Sequence, residues 1–305
     1  MKSPPLRERL SGPSPLLLDA AMGTELERRG ARSSLPLWSA WALIEAPSLV
    51  LEIHRDEAEA GADILTANTF RTHRRTLQKG RKARRSEELT REAVALARRV
   101  AGESPRPILV AGSLSPLEDC YRPDLVPDDE ALAREHGEQA AILAFAGADL
   151  ILVETQNTIR ELVAAVRAAK QTGLAVVASV VTDGEGQLLS GEPVEEAARA
   201  IEPLHPEVLS INCVPARRVL ADLRLLAEAV PGAPLAAYGN LGPPSGSEQT
   251  LFSERIEPEE YALLAREWLA IGARIIGGCC GTSAAHTAAM RRMIDALSIP
   301  RSAVG

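Results

Sequence analysis

The apolar run Ala273-Arg274-Ile275-Ile276 leads directly into Gly277-Gly278-Cys279-Cys280-Gly281-Thr282, two adjacent cysteines framed by glycines. Glycine removes side-chain bulk, so both sulfurs can face one small volume. Soft thiolates gathered in that way suit Zn²⁺ or Cu(I). A third thiol, Cys213, ends another apolar run, Val208-Leu209-Ser210-Ile211-Asn212. Cys213, Cys279 and Cys280 with one open position describe a reactive zinc site, not a closed structural one. Three thiolates over-neutralise the metal, so it would be poor at making hydroxide and well suited to hold a further sulfur as thiolate. That chemistry serves alkyl transfer to a thiol.

Two acids accompany the thiols at the ends of apolar runs. Asp19 follows Leu16-Leu17-Leu18, and Glu154 follows Leu150-Ile151-Leu152-Val153. Singly, either could cap a helix or pair with a buried arginine. Together beside a thiolate centre they suit an ammonium group, which points to an amino-acid thiol. Asn68 and Asn240 end two further runs. Cys120, in Leu117-Glu118-Asp119-Cys120-Tyr121, has no partner at a useful spacing and reads as a structural thiol. The histidines are scattered without ligand-like spacing. The basic run Arg71-Thr72-His73-Arg74-Arg75, continued through Arg85, reads as a solvated surface; the alternative is a lid that meets a carboxylate or a partner.

What must position these residues is a repeated unit: a helix closing on Gly-Ala, then a short apolar strand. It occurs at Gly61-Ala62, Gly147-Ala148 and Gly272-Ala273, and glycine is the usual residue just past a helix C-terminus. The apolar runs give eight strands, at about 16–20, 63–68, 107–112, 149–154, 175–181, 208–212, 234–239 and 273–278. Helical periodicity covers Glu87–Val100, Glu130–Ala146 and Ile159–Ala169, and helix-start signals stand at Pro193, Pro215, Pro258 and Thr282-Ser283. Eight continuous apolar strands alternating with helices predict a (β/α)₈ barrel. An open doubly wound sheet is disfavoured because no Gly-x-Gly-x-x-Gly turn follows the first strand. In a barrel the strand ends converge on one face, which gathers acids, amide and thiols together.

The chain has 305 residues, a net charge of −7, 46% hydrophobic and 25% charged residues. That composition is of a soluble globular protein, and its acidity argues against a nucleic-acid surface. No apolar stretch approaches the roughly 18 residues of a membrane span. Residues 1–15 read as a loose tail and 16–300 as the barrel domain. Four cysteines in a chain this long make no disulfide framework and suit a reducing cytoplasm.

Through Asp19-x-x-Met22-Gly23-Thr24-Glu25-Leu26, Ala67-Asn68-Thr69-Phe70, Glu154-Thr155, Ile211-Asn212-Cys213 and Gly277–Thr282, the chain resembles the homocysteine S-methyltransferase family along nearly its whole length. The resemblance implies a barrel with Zn²⁺ on Cys213, Cys279 and Cys280 and homocysteine held by its sulfur there. It implies Asp19 and Glu154 in the catalytic centre, with the amino group near Glu154. The substrate-binding positions are then Asp19, Met22, Gly23, Thr24, Trp38, Asn68, Glu154 and Asn240. Ala20 departs from the glycine usual in the family after the first-strand aspartate, and 112–118 departs from its commoner glycine-rich form. Leu37-Trp38-Ser39-Ala40 is similar to the branch that uses S-methylmethionine or S-adenosylmethionine, and a tryptophan face suits a sulfonium. Of the few aromatic residues, Trp38, Trp41, Phe70, Tyr121 and Tyr238 are the candidate wall. Betaine as donor, another small thiol as acceptor, and a non-catalytic zinc or redox-sensing barrel are the alternatives.

Overall fold

A computed structural model describes residues 5–242, 244–245, 251–252 and 255–298. Eight parallel strands form one sheet: β1 (Leu16–Leu17), β2 (Ile64–Ala67), β3 (Leu109–Leu114), β4 (Leu150–Gln156), β5 (Ala175–Val180), β6 (Val208–Pro215), β7 (Leu235–Asn240) and β8 (Ala273–Gly278). Their order is β1-β8-β7-β6-β5-β4-β3-β2. A parallel bridge between Leu18 and Ile64, with Asp63 N donating to Leu17 O at 2.7 Å, joins the two ends. The sheet is a (β/α)₈ barrel. A short antiparallel ribbon, Pro244–Ser245 with Leu251–Phe252, stands apart from it.

The twofold alternation of side chains along each strand divides the apolar residues between two cores. One set, including Leu65, Val110, Ile151, Val176, Leu209 and Ala237, packs outward against the helices. The other, including Ile64, Leu109, Leu150, Val177, Ala236 and Ile275, fills the barrel. Continuing the inner alternation two or four residues toward the strand ends reaches Thr66, Ser113, Glu154, Ser179, Asn212 and Tyr238, a polar layer above the apolar plug.

The helices follow the sequence signals closely. Those over Ser86–Glu103, Asp129–Ala146 and Ile159–Gln171 contain the three expected periodic segments, and those after the start signals begin at Val194, Ala216, Pro258 and Ala284. Gly61, Gly147 and Gly272 all have left-handed φ, at 111°, 94° and 104°. Each turns a helix end into the next strand, a conformation that glycine adopts without steric penalty. At the start of the strands one device recurs. Asp63, Asp149 and Glu207 accept the backbone N–H of Leu17, Val110 and Val176 at 3.0, 2.8 and 2.6 Å, and each also pairs with a basic side chain.

The expected loose tail over 1–15 is, in its described part, ordered. Leu6–Leu10 forms a helix whose Leu6 is buried with the barrel-interior core, and Arg7 and Arg9 pair with Glu207 and Asp63. One apolar residue that closes the barrel floor overrides the basic, proline-rich composition around it. Residues 1–4 and the expected domain end at residue 300 lie outside the described residues. Leu6→Ala should remove about 2–3 kcal/mol of stability by leaving a cavity at the floor, measured as a lower denaturation midpoint. Activity of the folded fraction should be unchanged, because the reacting groups lie at the opposite face.

Candidate active site

Cys213 reaches the mouth because β6 is kinked where it ends. Its register with β7 shifts between Asn212 and Pro215, and Cys213 itself has a left-handed φ of 58°. A non-glycine residue there costs roughly 1–2 kcal/mol, and two asparagines hold it in place. Asn240 Nδ2 donates to Cys213 O at 2.9 Å. Asn212 Oδ1 accepts from Thr155 N at 2.9 Å and Ser179 Oγ at 2.7 Å, while its Nδ2 donates to Thr155 Oγ1 at 2.8 Å. Thr155 is also left-handed, at 60°, so the same asparagine fixes the turn that follows Glu154.

The dithiol turn is held as closely. Cys279 N donates to Gly239 O, and Thr282 Oγ1 donates back to Cys279 O at 2.6 Å. A Cβ on Gly278 would lie 2.2 Å from Thr282 Oγ1, so only glycine leaves room for that return contact. Thr24 Oγ1 accepts from Gly281 N at 3.0 Å and supports the turn from behind. Cys213 Sγ lies 3.2 Å from Cys279 Sγ and 3.9 Å from Cys280 Sγ, with all three sulfurs within 4.8 Å of one another. Sulfurs about 2.3 Å from a tetrahedral zinc stand about 3.8 Å apart. The cluster therefore fits such an ion and could hold a metal. Contact with Cys279, together with burial, holds the Cys213 thiol well above its ordinary range; a cation would reverse that.

One cavity joins these sulfurs to both acids. Asp19, Met22, Gly23, Trp38, Asn68, Glu154, Cys213, Cys279 and Cys280 all line it. Thr24 and Asn240 are not among the lining residues; they brace the turn of Cys280 and the backbone of Cys213. Asn68 Nδ2 donates to Ser39 O at 3.0 Å and ties β2 to the segment carrying Trp38. The Trp38 ring lies over Gly23, where an added Cβ would meet it at 2.3 Å, and its edge-to-face partner is Phe70, 6.2 Å between centroids. Phe70, Tyr121 and Tyr238 line the cavity as well, whereas Trp41 does not. The Trp41 indole donates to Ser34 O and its ring stacks under Arg32.

Burial holds both acids toward their protonated forms. Burial pushes Glu154 up to about 7, against the hydrogen bonds it accepts from Ser113 Oγ and, at 3.3 Å, from Tyr238 OH. Asp19 is raised well above the carboxylate range, first by burial and then by the nearby Glu57 charge. Thr66 N and Oγ1, both donating to Asp19 at 2.7 Å, only partly offset this. Two buried carboxyls thus face one cavity.

Sequence reasoning missed Ser113 and Thr66, although the inner alternation Leu109-Ala111-Ser113 and Ile64-Thr66 would have indicated them. It also left Arg71 in a solvated run, where the structure places it buried in the cavity wall.

The fold and its thiol-lined mouth define a barrel enzyme whose site is built for sulfur. Residues 16–294 match the homocysteine S-methyltransferase family, and the chain belongs to it. It is 34% identical to an Escherichia coli homocysteine S-methyltransferase over 94% of this chain and 97% of that one. A selenocysteine methyltransferase of Astragalus bisulcatus is 30% identical, over 88% of each chain. The metallated crystal structure of the Escherichia coli homocysteine methyltransferase MmuM superposes with a TM-score of 0.80 at 32% identity, covering 95% of this chain and 99% of that one.

The buried acid has a consequence for stability. Glu154 rises from an ordinary 4.5 to about 7 on folding, so the folded state binds the extra proton between those values. Its contribution is fully present below about 4.5 and lost as pH rises through about 7. Metal-free Glu154→Gln should therefore match wild type near pH 4.5 and exceed it at pH 8, on the order of 3 kcal/mol. Denaturant titrations at the two pH values measure the difference; equal gaps at both would refute the assignment.

Proposed function

We propose that this enzyme transfers a methyl group from a sulfonium donor, S-methylmethionine or S-adenosylmethionine, to the sulfur of homocysteine, giving methionine. The observation that carries the reading is the sharing of one cavity by three thiols, two cation-seeking carboxyls and a tryptophan face. Zn²⁺ on Cys213, Cys279 and Cys280 would supply a fixed point that keeps the acceptor sulfur as a thiolate at neutral pH. Glu154 and Asp19 would take up the amino group, and either acid ionises more readily once an ammonium stands beside it. Met22 and Gly23, at the start of the helix Met22–Arg28, would face the acceptor's carboxylate, with Ala20 setting the tightness of that loop. Asn68, Thr24 and Asn240 would act by holding Trp38 and the thiol-bearing turns in place.

The Trp38 face attracts a positively charged sulfur. As the acceptor sulfur bonds to the methyl carbon, the donor's carbon–sulfur bond breaks and the donor leaves as a neutral thioether. Charge is thus lost in the transition state, and an apolar wall of Trp38 and Phe70 that excludes water favours the step. No protein nucleophile is needed. Among the described residues no helix is long and apolar enough to cross a membrane, and the free thiols would keep their reactivity in a reducing cytoplasm.

Turnover of homocysteine with each donor, followed as methionine formed, tests the whole reading; methionine from betaine and from no sulfonium would displace it. One zinc per chain is expected, lost together with turnover in Cys213→Ser and retained in Cys120→Ser, with metal analysis as the measurement. Glu154→Gln should raise the KM for homocysteine roughly ten- to hundredfold without changing zinc content. A chiral methyl should transfer with inversion, and retention would require a second, covalent step.

A further inference from the structure

Among the arginines and lysines of the basic run, only Arg71 is buried. It is 7% exposed and lines the cavity beside Phe70, Cys120 and Tyr121. Its neighbours are occupied elsewhere: Arg74 pairs with Glu138, Arg75 with Glu118 and Glu135, and Lys79 with Glu118. Among the described residues Arg71 makes no ion pair. Its guanidinium has one long contact, from Nη1 to Glu118 O at 3.5 Å, and lies 5.2 Å from the Phe70 ring centroid. Its Nε is buried and has no hydrogen-bond partner. A guanidinium remains charged at every physiological pH and presents a planar fork of donors. Burying that charge without an anion is strongly unfavourable, so the arrangement is complete only when a ligand brings one. A carboxylate fits the fork with two parallel hydrogen bonds.

Which carboxylate it meets follows from the layout of the walls. Asp19 and Glu154 belong to the side that would hold the acceptor's ammonium. Arg71 follows Phe70, whose ring packs against Trp38, so its charge stands on the side that would hold the onium group. We propose that Arg71 binds the carboxylate of the methyl donor and restricts donors to zwitterions, an onium methyl compound that also carries a carboxylate. This rests on the methyl-transfer reading above. Three carbons separate the sulfonium from the carboxyl carbon in an amino-acid donor of the S-methylmethionine type, enough for the sulfur to lie at Trp38 while the carboxylate extends past Phe70.

The test compares S-methylmethionine with its carboxamide, in zinc-loaded wild type, Arg71→Gln and Arg71→Lys. Wild type should prefer the acid in kcat/KM by roughly ten- to hundredfold. Arg71→Gln should lose that factor for the acid and almost none for the amide, with KM for homocysteine and zinc content unchanged; Arg71→Lys should recover part of it. Equal losses for acid and amide, or a rise confined to the KM for homocysteine, would overturn the assignment. Calorimetric binding of S-methylmethionine, betaine and their amides to the same proteins separates this inference from the functional reading. If no donor turns over, carboxylate-bearing ligands must still bind more weakly to Arg71→Gln than to wild type, and unchanged binding refutes the role of Arg71. Thermal melts establish that each variant is folded, and the lysine variant decides the matter if the glutamine variant is not.

Discussion

The site depends on a strand that ends in the wrong-handed conformation. If β6 continued its regular pleat, the side chain after the inward Asn212 would turn outward toward the helices, and Cys213 would be lost to the cavity. The left-handed φ of Cys213 breaks the alternation and brings its sulfur to 3.2 Å from Cys279. Such a conformation persists only where the surroundings over-determine it. Asn240 holds the carbonyl of Cys213, and Asn212 simultaneously fixes Thr155, another left-handed residue, on β4. One side chain thus couples the turn that carries a thiol to the turn that follows the buried acid.

The second constraint is electrostatic. Three thiols, Asp19 and Glu154 face a common volume, and all are held toward their protonated forms. On the function proposed above, a metal, an ammonium and an onium group would each favour the ionised forms of these groups. Their effects reinforce one another, because each cation eases ionisation of the groups that hold the next. Arg71 is the counterweight. In the proposed reaction those groups ionise around their own cations, and the guanidinium would then give a ligand carboxylate a positive partner.

Much of this was legible in the sequence because the signals are local. The Gly-Ala junctions require left-handed glycines, the apolar runs alternate with helical periodicity, and Cys279-Cys280 are adjacent. The barrel and the convergence of Asp19, Glu154 and the three cysteines followed from those. The remainder depends on tertiary packing. The family resemblance singled out Trp38, but the packing that turns Trp38 and not Trp41 into the cavity comes from Gly23 and Phe70 on other segments. Arg71 and Arg74 are alike in sequence, yet one is buried and the other pairs with Glu138 on the surface. Leu6 is one apolar residue among prolines and arginines, too brief a pattern to reveal a helix that seals the barrel floor.

Strain and buried acids at the mouth are tolerable because the opposite face is built for stability. Asp63, Asp149 and Glu207 each bind a strand N–H and a basic side chain, tying β1 to β2, β3 to β4 and β5 to β6 in turn. These carboxylates accept hydrogen bonds and have basic partners on other elements, the converse of Asp19 and Glu154. In a barrel the two ends of the strands are separated by an apolar plug, here including Leu109, Leu150, Val177 and Ile275. Charge at the floor therefore stabilises the fold while remaining remote from the acids of the mouth. The same residue type, a carboxylate at a strand terminus, serves folding at one end and, on the function proposed above, recognition at the other. What separates the two uses is whether the protein itself provides the cation.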